Sequence, residues 1–246
     1  MDPALQYALI TLVFILAGFV KGVTGLGLPT VTMGLLGVWM HPAQAAALVV
    51  IPALVTNIWQ GLWGPGLLSL LRRQGVMLVA LALGTGIGMA AGLMQMGGGT
   101  LARHLLGGAI VIHAAISLAA PRLTLSPRAA RWLAAPAGLL TGLITASTGV
   151  AVIPVAAYLQ ASVPDKEDLV RCLGLAFVTS TAVMGLGLAW NGTLGGTESL
   201  ASLLGLIPAV LGMLAGNKAR RVMSAALFRR CFLSALLALG LWLMLG

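Results

Sequence analysis

The sequence predicts an all-α polytopic membrane protein: two inverted five-segment repeats with broken or re-entrant helices at Gly-rich motifs. Three observations carry that expectation. Of the 246 residues, 59% are hydrophobic and 8% charged, whereas a soluble domain has roughly 25% charged residues. The apolar residues gather into ten runs, and mean hydropathy is +1.04. Two of the runs are interrupted at corresponding places, by Lys21-Gly22-Val23-Thr24-Gly25-Leu26-Gly27-Leu28-Pro29 and by Ser147-Thr148-Gly149-Val150-Ala151-Val152-Ile153-Pro154. Inside a bilayer every backbone N–H and C=O needs a partner, so a Gly/Pro break at that depth belongs where it is buried in protein or lines a cavity.

The runs span residues 4–20, 28–39, 43–64, 75–97, 105–120, 132–147, 149–161, 170–190, 199–216 and 227–245. Most approach the roughly 20 residues that a helix needs to cross the hydrocarbon. The second and seventh are much shorter and each follows a break, so they are expected as half-helices or arms of re-entrant hairpins. Asp2 is the only charged side chain before Lys21, so the first run lacks the positive n-region of a cleaved leader and is expected to remain as a segment. The domain expectation is a first membrane repeat over 1–121, a cytoplasmic linker over 122–131 and a second repeat over 132–246.

Segment parity sorts the basic residues. One side receives Arg72, Arg73, Arg122, Arg128, Arg131, Lys166, Arg171, Lys218, Arg220, Arg221, Arg229 and Arg230, and the other only Arg103, with Lys21 set apart as intramembrane. Cytoplasmic loops carry the excess of Lys and Arg. Both termini are therefore expected outside, on the periplasmic side if the membrane is a bacterial inner one, as the resemblance described below implies. The net charge of +9 belongs to this orientation signal and not to nucleic-acid binding.

The halves also match at residue level. At a spacing of 124, Gly18 pairs with Gly142, Thr24-Gly25 with Thr148-Gly149, and Gly88-Met89-Ala90-Ala91-Gly92 with Gly212-Met213-Leu214-Ala215-Gly216. With a shift of one, Ala53, Val55 and Thr56 pair with Ala176, Val178 and Thr179. An odd number of segments per unit brings the second copy in from the opposite face. The Gly88/Gly92 and Gly212/Gly216 pairs read as close-packing surfaces, within the scaffold or at a homodimer contact.

The run from Gly18 to Pro29, followed by His41-Pro42-Ala43-Gln44-Ala45 and by the second Thr-Gly segment leading to Pro154, resembles the TauE/SafE family of sulfite exporters and organosulfur-anion permeases. The resemblance spans essentially the whole chain. It implies a bacterial inner-membrane carrier of small sulfur-containing anions, such as sulfite or sulfonates.

The residues themselves argue the sign of the substrate. The five acidic side chains, Asp2, Asp165, Glu167, Asp168 and Glu198, fall at segment ends or in loops, which disfavours a carboxylate-built cation site. An anion could instead be held by free backbone N–H groups where broken half-helices begin. Thr24, Gly25, Gly27, Ser147, Thr148 and Gly149 are placed for that. Lys21 either faces a cavity and supplies a positive charge, or snorkels to the interface as an anchor. Thr56, Asn57 and Gln60 are polar within an apolar segment, as are Thr179, Ser180 and then Thr181. Such side chains can bind substrate or tie helices together, and Asn57, Gln60, Thr179 and Ser180 join the candidate set.

Trp63 reads as an interfacial residue and Trp59 as a cavity wall. His113 serves either proton transfer or a helix-to-helix hydrogen bond, and His41 and His104 read as boundary residues. Cys172 and Cys231 lack metal-ligand spacing and read as packing residues, so no metal or other cofactor is expected. An intramembrane hydrolase would need a nucleophile and an oriented base; Ser147 and His113 exist, but no carboxylate lies at depth to orient the histidine. The expected function is anion transport with lipid as surroundings, the alternatives being a carrier or channel for carboxylate or inorganic anions and, less favoured, the hydrolase.

The orientation is checked by a C-terminal fusion to a reporter active only in the cytoplasm, which should stay silent; an active reporter would overturn the segment parity.

Overall fold

The computed structural model describes residues 2–64, 66–96, 100–119, 124–220, 222 and 224–245. Arg122 and Arg221 of the basic set, and the start of the expected linker at 122–123, lie outside the described residues. Among the described residues eleven helices follow one another: α1 (Pro3–Thr24), α2 (Leu28–Leu36), α3 (Pro42–Leu62), α4 (Leu67–Ala90), α5 (Leu93–Met96), α6 (Thr100–Ala119), α7 (Pro127–Thr148), α8 (Val155–Ser162), α9 (Lys166–Trp190), α10 (Gly196–Ala219) and α11 (Ala225–Leu245), with no strand. Among them, five helices are long and apolar enough to cross a membrane: α1 from Ala4, α3, α4, α9 and α10. Shorter apolar stretches run over Arg103–Ala119 and Arg230–Leu245.

Both breaks are where the sequence puts them. Helix α2 has nine residues and α8 eight, about 13 and 12 Å of helix, less than half of the roughly 30 Å hydrocarbon thickness. Several boundaries differ from the apolar runs, three of them instructively. Helix α7 begins at Pro127, inside the stretch expected as linker, because Ser126 Oγ accepts from the Ala129 N–H at 3.3 Å and proline suits the first turn. Helix α4 begins at Leu67 and carries Arg72 and Arg73 on an exposed face. The seventh run starts only at Val155, since residues 150–154 follow a non-helical path after the break.

The helix pairings form a symmetric set. Helix α1 packs along α10 and α4 along α7; α3 packs on α9 and α6 on α11; α10 also touches α3, and α4 touches α9. Laying α1, α2, α3, α4 and α6 against α7, α8, α9, α10 and α11 maps this set of pairings onto itself.

Glycine lets these helices approach. A Cβ on Gly18, Gly22, Gly212 or Gly216 would run into main-chain atoms across the α1–α10 contact, and one on Gly84, Gly138 or Gly142 would do so across α4–α7. Gly61 and Gly174 meet backbone to backbone where α3 crosses α9. With no hydrophobic drive between helices in lipid, such close contact is what holds them. The Gly212/Gly216 pair works as expected. Gly92 does not, for it lies beyond the end of α4 in a left-handed turn with φ +68°, leaving Gly84 and Gly88 as the small residues one turn apart.

Helix α3 contains Pro52, which has no N–H to offer the Leu48 carbonyl. Ser202 of α10 repairs the gap: its hydroxyl donates to Leu48 O at 2.8 Å and accepts from the Ile51 N–H at 3.1 Å. The Trp pair at the end of α3 faces outward. Trp59 and Trp63 are 62% and 70% exposed and stack at 4.6 Å, so Trp59 belongs with the outer belt and not with a cavity wall.

Gly142→Val should lower stability by about 1 to 3 kcal/mol or more, because the obstacle is α4 backbone that cannot rotate away. Gly75→Ala, with open space around the new methyl, should leave the thermal midpoint in detergent unchanged or slightly raised. Equal midpoints for the two variants would contradict the α4–α7 contact.

Candidate functional site

Each break is built the same way. Helix α1 ends as Gly25 turns left-handed (φ +78°) and its N–H reaches back to Lys21 O at 2.7 Å; α7 ends as Gly149 does the same (φ +72°) toward Thr145 O at 2.8 Å. Glycine adopts that conformation without a Cβ penalty. Thr24 Oγ1 then accepts from the Leu26 N–H at 3.1 Å, and Thr148 Oγ1 from the Val150 N–H at 3.2 Å. The hydroxyl protons are engaged too, Thr24's within reach of Val20 O and Leu26 O, and Thr148's on Ile144 O at 2.7 Å. A hydroxyl has a single proton to donate. Thr24 and Thr148 therefore staple the breaks and offer an anion no donor in this state.

Most other hydroxyls of the candidate set are likewise turned onto their own helix. Ser147 donates to Ile144 O at 3.0 Å, Thr179 to Leu175 O at 2.9 Å and Ser180 to Phe177 O at 3.2 Å. Gln60 Nε2 donates to Val170 O at 3.0 Å and ties α3 to α9. His113 shares a hydrogen bond with Ser117 one turn along α6, and His41 caps α3 by accepting from the Ala43 N–H. Cys231 is exposed, while Cys172 is buried as expected.

Lys21 and Asn57 stand apart. Lys21, in the last turn of α1, is 4% exposed and Asn57 is fully buried. The Lys21 ammonium donates to Asn57 Oδ1, while Asn57 Nδ2 has no hydrogen-bond partner among the described residues. Lys21 thus does not snorkel. The five carboxylates sit at or beside helix starts, Asp2 and Asp165 as the caps of α1 and α9, Glu167 and Asp168 in the first turn of α9 and Glu198 in that of α10, so none pairs with Lys21. A buried ammonium held by one neutral amide oxygen keeps most of its desolvation cost uncompensated, and a bound anion would offset it.

The two breaks enclose a cavity together with α3 and α9. Gly27, Pro29, Val49 and Ala53 line it from the first half; Gly149, Ala151, Val152 and Thr145 come from the second break, with Phe177, Thr181 and Met184 from α9. Its volume is about 10 Å³, room for roughly one water. Asn57 lies four residues along α3 from the cavity-lining Ala53, about 6 Å of helix rise. So Gly27 and Gly149 of the expected residues line the cavity, Asn57 stands a turn of α3 from its wall with Lys21 bonded to the amide, and Gln60 points away to the α9 backbone.

Four hydroxyls outside the expected set matter here. Thr145 and Thr181 line the cavity, and Thr181 makes no hydrogen bond to the described residues. Thr30, in the first turn of α2, has a buried hydroxyl with no partner among them. Thr141 accepts the first N–H of α8, from Val155, at 2.9 Å, whereas the start of α2 has no side-chain cap. Thr141, Thr145 and Thr148 recur at i, i+4 and i+7, a single helix face leading into the break, and that periodicity was readable in the sequence. Thr30 and Thr181 carry no such pattern.

The family described as Sulfite exporter TauE/SafE matches residues 10–243 of the chain. No curated protein and no solved structure matches it.

Asn57→Leu should destabilise the protein by about 1 to 3 kcal/mol, since Lys21 loses its acceptor while remaining buried. Adding Lys21→Met should recover much of the loss, because both polar partners are then gone. A double-mutant cycle by chemical denaturation in detergent measures the coupling; strictly additive effects would show that the two side chains do not act as a pair.

Proposed function

The chain belongs to the sulfite exporter TauE/SafE family of membrane transporters, and from that premise we propose that it moves small sulfur-containing anions, sulfite or sulfonates, through a site at the meeting of the two breaks. The observation that carries this reading is the buried Lys21–Asn57 pair, a cation without a carboxylate beside a cavity whose Thr181 hydroxyl is unspent. Lys21 supplies the charge; Asn57 Nδ2, Thr181 and the uncapped first turn of α2 supply donors. The donor role first read for Thr24, Ser147, Thr148, Thr179 and Ser180 passes to these groups, and the backbone around Gly25, Gly27 and Gly149 shapes the site.

The cavity is too small for an oxyanion, so the walls must separate for loading. The matched pairings of α1 with α10 and α4 with α7 support two repeats of opposite orientation that rock about the site, exposing it to one face at a time. The long apolar helices and the basic bias support a bacterial inner-membrane location with both termini periplasmic. A hydrolase is disfavoured by geometry, since Ser147 Oγ is bonded to its own helix backbone and no carboxylate orients a base near it.

Losing one hydrogen bond to a charged group costs about 1.5 to 3 kcal/mol, or roughly 10- to 150-fold in affinity. Lys21→Met should therefore weaken binding of a sulfonate such as isethionate by that factor in calorimetry on purified protein that remains folded. An unchanged dissociation constant would remove Lys21 from the site.

A further inference from the structure

Building on the anion site just proposed, we infer that it is selective for valence and accepts a singly charged oxyanion, a sulfonate or hydrogensulfite, in preference to a dianion such as sulfate or sulfite. Two observations carry this. The first is a count of charges at depth. Among the described residues the buried cations are Lys21 and Arg171, and Arg171 sits near the start of α9 with its guanidinium on Gly64 O at 3.1 Å, at the α3–α4 connection. Lys21 is left as the cation beside the cavity, and no Asp or Glu modifies its charge.

The second observation is the wall opposite. Thr145 occupies the position that corresponds to Lys21 at the repeat spacing of 124, and Ser180, with the shift of one that pairs Thr56 with Thr179, the position that corresponds to Asn57. The second half thus brings hydroxyls where the first brings an ammonium and an amide, and beside them Phe177 and Met184 face the cavity. Among the described residues no second buried cation lies across the site to meet a second negative charge.

The cost of taking an ion out of water grows with the square of its charge, while its attraction to one fixed ammonium grows only in proportion. Doubling the charge therefore multiplies the cost about fourfold and the return about twofold. A monoanion with Lys21 makes a neutral pair in a low-dielectric cavity; a dianion leaves a net negative charge facing hydrocarbon. The donors at hand, an amide N–H2, a threonine hydroxyl and the first turn of α2, soften that excess without cancelling it.

The test is calorimetric titration of the purified full-length protein with methanesulfonate, sulfate and sulfite. Methanesulfonate stays a monoanion at every usable pH, whereas sulfite passes from hydrogensulfite to the dianion near neutrality. Methanesulfonate should bind at least about tenfold more tightly than sulfate. The affinity of sulfite relative to methanesulfonate should fall as pH rises from about 6 to about 8.5, approaching tenfold per unit once the dianion dominates; taking the ratio cancels any titration of the protein itself. Sulfate bound as tightly as methanesulfonate, or a sulfite ratio that holds or rises with pH, overturns the valence preference and leaves the anion site standing. Absence of binding by all three probes removes the site itself, and the preference with it.

Discussion

A backbone polar group in hydrocarbon must find a partner inside the protein, and four departures from regular helix described here are met by hydroxyls that supply one. Thr24 and Thr148 hold the N–H groups just past the two breaks, Thr141 takes the first N–H of α8, and Ser202 closes the gap that Pro52 opens in α3. This constraint decides which polar side chains are available for anything else. Hydroxyls engaged with backbone fix the shape of the breaks; the donors with unspent capacity are Lys21, Asn57, Thr30 and Thr181.

The two halves share a scaffold but not an electrostatic character. Both breaks use a left-handed glycine, a threonine staple and a half-helix. Yet Ala17 stands at the repeat equivalent of Thr141 and Lys21 at that of Thr145. The α8 end is therefore capped and neutral, while the α2 end is uncapped and follows a helix that carries an ammonium in its last turn. A helix start whose N–H groups are unclaimed and a fixed cation act in the same direction on an anion, so the first half is the electropositive one.

Fold and breaks were legible because they follow from composition and spacing. An apolar run long enough for a helix, a Gly-rich interruption and a match at a fixed interval are all one-dimensional signals, as was the position of Lys21 at the end of the first helix. The direction of a short polar side chain is not. A threonine in a helix can turn to the carbonyl four residues back or out to a neighbour, and the sequence reads the same in both cases; hence Thr148, Thr179 and Ser180 looked like ligands and bond their own helices. Gln60 is long enough to reach either a cavity or the next helix, and it reaches Val170. The start of α7 was misplaced because Arg128 and Arg131 lower its hydropathy, although Ser126-Pro127 is a good helix opening.

The repair of α3 by Ser202 ties together two positions about 150 residues apart in the chain. Ser202 has a task only while residue 52 is proline; with an ordinary residue there, Leu48 O would recover its own helical partner and the serine would become dispensable. Conversely, a proline at 52 without a hydroxyl at 202 leaves a bare carbonyl in an apolar interior. Substitutions at the two sites should therefore be strongly non-additive, and a library that varies one while holding the other fixed would misjudge both.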